Sequence, residues 1–148
     1  GGGRPARPDC RSSINSLERS EASESEAVIG IGIDTVEVER FRKALQKRPG
    51  IADRLFTPAE QAYGRRQQDP SERLAARFAA KEAVMKALGV GLGAFAFRDV
   101  EVVKAPSGAP SIALTGRAAE LAARRGVTSW HVSLTHTGLV AEAVAIAL

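Results

Sequence analysis

Six alanines, Ala75, Ala76, Ala79, Ala80, Ala83 and Ala87, fall within residues 72–88, and that density of small side chains constrains the fold more than any other feature of the chain. Asp69-Pro70-Ser71 breaks the chain ahead of the stretch, and Gly89 stands where a helix ends in left-handed backbone. A helix is therefore predicted over residues 72–88, with Leu74, Phe78, Met85 and Leu88 as its bulky members. A helix faced with alanine lies close against whatever it packs on, because the side chains at the contact set the spacing. A small sheet face on which helices would pack is legible near the C-terminus. There Val140, Val144 and Ile146 alternate with Ala141, Ala143, Ala145 and Ala147, the period of a strand with one small face.

The remaining segments fill in a sheet and smaller helices. Ile29, Ile31 and Ile33 alternate with Gly30 and Gly32 and lead into Asp34, which is expected at the end of a strand. From Val36 to about Arg48 the pattern turns helical, with Val38, Phe41 and Leu45 on one face, until Pro49-Gly50 stops it. Thr57-Pro58-Ala59-Glu60 has the form of a capping box with proline at the first helical position. Residues 98–104 and 111–114 flank a Pro106–Pro110 turn and read as a hairpin, Thr115 opens a helix that closes before Gly126, and residues 129–135 form a further strand. The sum is an α+β fold, a mainly antiparallel sheet packed against helices.

Residues 1–26 read differently. Glycine, proline, serine and a Glu-rich run leave almost nothing to bury, so a disordered tail is expected there and one domain over residues 27–148. The chain opens with glycine and its only methionine is Met85, as expected of a processed product or a piece of a longer chain. The tail carries a net charge of −1 and the remainder +5, so the domain favours an acidic partner. Aromatic residues are only 5% of the chain and do not cluster among the basic ones, which argues against a nucleic-acid platform. The longest apolar stretch, residues 139–148, is interrupted by Glu142 and is too short to span a membrane. A single cysteine, Cys10, makes no internal disulfide and is compatible with a cytoplasmic home.

Chemistry concentrates on the central helix. Glu82 and Lys86 are spaced i, i+4, as are Arg77 and Lys81, so each pair shares a helix face. With Asp34 they offer hard oxygen ligands for a divalent metal and several cations for phosphates. The same spacing also decorates exposed helices.

Three motifs decide between these readings. Gly32-Ile33-Asp34-Thr35-Val36-Glu37-Val38-Glu39-Arg40-Phe41, then Arg77-Phe78-Ala79-Ala80-Lys81-Glu82 with Lys86, then His131-Val132-Ser133-Leu134-Thr135-His136 together resemble the holo-acyl-carrier-protein synthase family, the small phosphopantetheinyl transferases. The resemblance runs in order over residues 28–148. It implies a phosphopantetheinyl transferase-like fold and an enzyme that moves phosphopantetheine from coenzyme A to a serine of acyl carrier protein. It implies Mg²⁺ held by Asp34 and Glu82 at the coenzyme A pyrophosphate, with Lys86 on a phosphate oxygen. Arg77, Lys81, Gly89 and His136 are expected at the cofactor site, with Gly91 and Gly93 also letting backbone approach it; His131 is expected simply to occupy a sheet face. The general base is left open between Glu82 and a water poised by Asp34 or Glu82. The resemblance further implies a homotrimer with coenzyme A between neighbouring subunits, and an acidic carrier helix meeting Arg40 and Lys47. The competing reading is a basic binding module or a catalytically idle domain of a larger synthase.

Overall fold

The alanine-rich stretch forms a 17-residue helix, α4 (Ser71–Ala87), and the fold is arranged around it. Ala79, Ala80 and Ala83 are fully buried. The computed structural model describes residues 27–148; the tail expected at residues 1–26 lies outside them. Along the described residues the order is β1 (Gly30–Glu37), α1 (Val38–Lys47), α2 (Ile51–Leu55), α3 (Pro58–Arg65), α4, a 3₁₀ turn (Phe97–Asp99), β2 (Val100–Lys104), β3 (Pro110–Leu114), α5 (Gly116–Arg124), β4 (Trp130–His136) and β5 (Val140–Ala147).

All pairing is antiparallel, in a three-stranded sheet ordered β1-β5-β4 and a two-stranded β2-β3 hairpin. The α+β expectation holds, divided between two sheets. β5 turns its alanines inward: Ala141, Ala143, Ala145 and Ala147 are buried against α4. On β1 the glycines, not the isoleucines, face the helix. A Cβ on Gly32 would sit 1.8 Å from the Ala83 carbonyl oxygen, and one on Gly30 1.9 Å from that of Ala87. Only glycine permits this approach of strand to helix backbone. The isoleucines consequently point outward, Ile31 63% and Ile33 59% exposed.

Several expected boundaries move. Asp34 lies inside β1 rather than at its end, because the strand runs on to Glu37, with Val36 opposite Ala141 and Glu37 opposite Val140. α1 therefore begins at Val38, whose N–H donates to the Leu139 carbonyl at 2.9 Å, and not at Val36. The strand expected from Arg98 starts at Val100, since residues 97–99 close a 3₁₀ turn. Thr115 precedes α5 without a side-chain capping bond; its N–H donates instead to the Asp99 carbonyl. The Thr57–Glu60 capping box forms as expected, and Gly89 adopts φ 62° just beyond α4.

Candidate active site

The glycine contact between β1 and α4 is what builds the site. Asp34 follows Gly30 and Gly32 on the face of β1 that meets the helix, since side chains on a strand alternate. Glu82 and Lys86 stand one turn apart at the C-terminal end of α4. Lys86 Nζ donates to Asp34 Oδ1 at 2.9 Å and to the Ile33 carbonyl at 2.8 Å. Asp34 and Glu82 line one cavity of about 620 Å³, together with Arg40 and an apolar wall that includes Phe41, Phe78, Leu92 and Phe97. Its size is that of a small-molecule cleft. The rings along the wall are in contact, Phe41 to Phe78 at 5.5 Å and Phe78 to Phe97 at 5.3 Å between centroids.

Electrostatics single out Glu82. Burial, and then the neighbouring Asp34 charge, push its carboxyl above the usual carboxylate range, while Lys86 pulls the other way. A carboxylate held near a second one in partly desolvated surroundings is short of positive charge. Two hard oxygen donors so placed fit a small divalent cation, one that takes one or two carboxylates and completes its shell with water and substrate phosphates.

A second cavity, of about 210 Å³, collects the cations. Arg73, Arg77, Lys104, Tyr63 and His136 line it. The Arg77 guanidinium lies 3.8 Å from the Tyr63 ring centroid, with Arg73 at 5.1 Å and Lys104 Nζ at 5.7 Å. Burial alone would raise the Tyr63 phenol, but the charges of Arg73, Arg77 and Lys104 outweigh it and lower the phenol below its ordinary value. Arg77 is only 9% exposed, and its Nε is buried without a hydrogen-bond partner within the protein. His136 Nδ1 lies 3.2 Å from Glu72 Oε2.

The expected residues are thus distributed over distinct places. Asp34, Glu82, Lys86 and Arg40 share the first cavity or its edge, whereas Arg77 and His136 line the second. Lys47 lies along α1 with Arg40, Lys43 and Arg48 in an adjoining groove. Gly89 ends α4, where an added Cβ would come within 3.1 Å of the Arg125 guanidinium. His131 is exposed on β4.

Lys81 is a correction. It is fully buried, and its Nζ donates to Glu60 Oε2 at 2.7 Å and to the Val100 and Phe97 carbonyls at 2.6 and 3.1 Å. All three ammonium hydrogens are spent, so it presents no charge to a phosphate. Its i, i+4 partner Arg77 instead lines the cationic cavity. Sequence reasoning missed Arg73, Tyr63, Lys104 and the aromatic wall. The Arg73–Arg77 spacing was a signal for the first; Tyr63 and Lys104 come from α3 and β2, and nothing local announces their meeting.

A family model described as the 4'-phosphopantetheinyl transferase superfamily matches residues 30–146. A holo-[acyl-carrier-protein] synthase of Frankia alni is 52% identical over 121 residues, covering 82% of this chain and 98% of that protein. Among solved structures, the holo-[acyl-carrier-protein] synthase of Neisseria meningitidis superposes with a TM-score of 0.75 at 29% identity, covering 82% of this chain and 99% of that one. The Helicobacter pylori synthase, solved in complex with coenzyme A, gives 0.70 at 32% identity over 80% of this chain and 99% of its own.

Proposed function

From the premise that this chain belongs to the 4'-phosphopantetheinyl transferase superfamily, and moves 4'-phosphopantetheine from coenzyme A to a serine of apo acyl carrier protein, we propose that transfer takes place in the cleft between β1 and α4. The observation that carries this reading is the joint placement of Asp34, Glu82 and Lys86 beside an apolar wall. Asp34 and Glu82 are the residues that hold Mg²⁺, which when bound offsets charge on the reacting phosphoryl group. Glu82, which lines the cleft, takes the proton of the carrier serine. The serine oxygen forms a bond to the phosphorus that bears the pantetheine, and the bond from that phosphorus to the bridging pyrophosphate oxygen breaks. Adenosine 3',5'-bisphosphate leaves. Lys86 spends two of its three ammonium hydrogens on Asp34 and Ile33 and has one for the departing oxygen.

The cationic cavity around Arg77 and His136 suits the remaining phosphate of coenzyme A, as Arg73, Arg77 and Lys104 all line it. Because it is a different cavity from the one holding Asp34 and Glu82, a homotrimer that sets the cleft of one subunit against the cationic cavity of its neighbour is part of the proposal. The outward Ile31 and Ile33 are the apolar surface such packing would cover. Arg40, at the cleft, and Lys47, further along α1, meet the acidic carrier and steer it. Among the described residues no helix is long and apolar enough to cross a membrane, and a cytoplasmic location belongs to the same reading.

The test is metal dependence. Asp34→Asn should raise the Mg²⁺ concentration for half-maximal transfer by at least about tenfold, since losing even a residue that only supports a metal ligand costs that much, whereas Glu82→Gln, which loses the base as well, should not transfer at any Mg²⁺ concentration. Unchanged Mg²⁺ dependence in Asp34→Asn would place the metal elsewhere.

A further inference from the structure

The buried pair Lys81–Glu60 has no role in the chemistry above, yet more of the molecule converges on it than on any other polar group described here. Glu60 Oε2 accepts from Lys81 Nζ and, closing the cap of α3, from the Thr57 N–H at 3.0 Å; Oε1 accepts from the Val102 N–H at 3.0 Å. Lys81 in turn holds the carbonyls of Phe97 and Val100. Four pieces meet at two side chains: the start of α3, the middle of α4, the 3₁₀ turn and β2. Stability alone does not explain the choice, because a buried ion pair is commonly no more stabilising than apolar residues of the same volume. A three-donor ammonium is what a carboxylate and two carbonyls require.

One of those carbonyls belongs to a residue of the cleft. Phe97 lines it with Asp34 and Glu82, and its ring packs 5.3 Å from Phe78. Resting on the assignment of transfer to that cleft, we infer that Lys81 and Glu60 are positioning residues for coenzyme A: through the Phe97 and Val100 carbonyls they fix the turn that holds Phe97 in the apolar wall. The uncharged pantetheine arm of coenzyme A is the part of the substrate such a wall receives. Glu82, held by the close packing of α4 on β1, keeps its place without them.

The experiment is a double-mutant cycle read as the KM for coenzyme A. Glu60→Gln with Lys81→Met removes both charges together, so that neither is stranded in the interior; Phe97→Ala removes the ring they position. Each should raise KM about tenfold over the parent with kcat nearly unchanged, and the combination should also stand about tenfold over the parent rather than a hundredfold, since residues acting through one another are not additive. A product of the two separate effects, or an unchanged KM in the charge-removed protein, would overturn the inference and leave the pair a purely structural feature. If that protein does not fold, Glu60→Asp takes its place in the cycle, keeping the charge but withdrawing it by one methylene, and the same outcomes decide. Glu82→Gln in the same assay checks the assignment independently: if it transfers normally, the cleft is wrong whatever the cycle shows.

Discussion

Glu82 is under opposing demands. Chemistry wants a carboxylate beside Asp34, while burial and the Asp34 charge favour its neutral form. A carboxyl that binds its proton more tightly folded than unfolded makes stability fall as pH rises, over the window from the ordinary value of about 4.3 up to the raised one. In metal-free buffer Glu82→Gln should therefore raise Tm at pH 7, and its advantage should shrink to nothing as the pH is lowered through that window. Thermal melts of parent and variant between acid and neutral pH check this; a Tm lowered at pH 7 would show that Glu82 is held by favourable contacts and not against its neighbours. At this scale the sequence was informative where a residue's partners are close along one element or fixed by a motif, as with Asp34, Glu82 and Lys86. It misled at Lys81, whose partner Glu60 is 21 residues away and whose spacing from Arg77 is as compatible with a buried pair as with an exposed phosphate site.

Elements were legible through period and punctuation. The alanines of α4 and β5, the Thr57 capping box and the Gly89 terminus all appear where their chemistry requires. What periodicity did not reveal was which face of β1 turns inward: isoleucines alternating with glycines suggest an apolar face, yet the glycine face is the covered one. The reason is close approach to α4, which no property of β1 alone contains. Gly32→Ala should consequently cost about 3 kcal/mol, the upper end of overpacking penalties, because the added carbon meets backbone that cannot swing aside. For a domain of this size that lowers Tm by roughly 10 °C. Gly91→Ala, where an added Cβ meets nothing within 4 Å, should stay within about 0.5 kcal/mol of the parent. Comparable melting points for the two variants would contradict the backbone contact as the device that seats Asp34 beside Glu82 and Lys86. The boundary errors at Val36 and Arg98 have the same origin, since pairing with β5 and the clamp on the 3₁₀ turn are tertiary.

For the whole molecule, fold class followed from segments that each favour one structure, but the split into two cavities did not, because it depends on which helices and strands meet. Under the proposed trimer, that split makes assembly part of the mechanism. If coenzyme A bridges the Asp34–Glu82 cleft of one subunit and the Arg77–His136 cavity of the next, the two halves are complementary surfaces that close into a ring. Glu82→Gln damages one half and Arg77→Met the other. Each variant alone should leave apo acyl carrier protein unmodified at low coenzyme A and saturating Mg²⁺. Refolded together in equal amounts, they form mixed rings in which about a quarter of the sites pair an intact cleft with an intact cationic cavity, as random closed assembly dictates. The direct measurement is the mass of the carrier after incubation: the mixture should add one phosphopantetheine at about a quarter of the parent rate, and neither variant alone should add any. A mixture as inert as its components would show that the site is not shared between subunits, and full transfer by Glu82→Gln alone would show that it is not the cleft between β1 and α4.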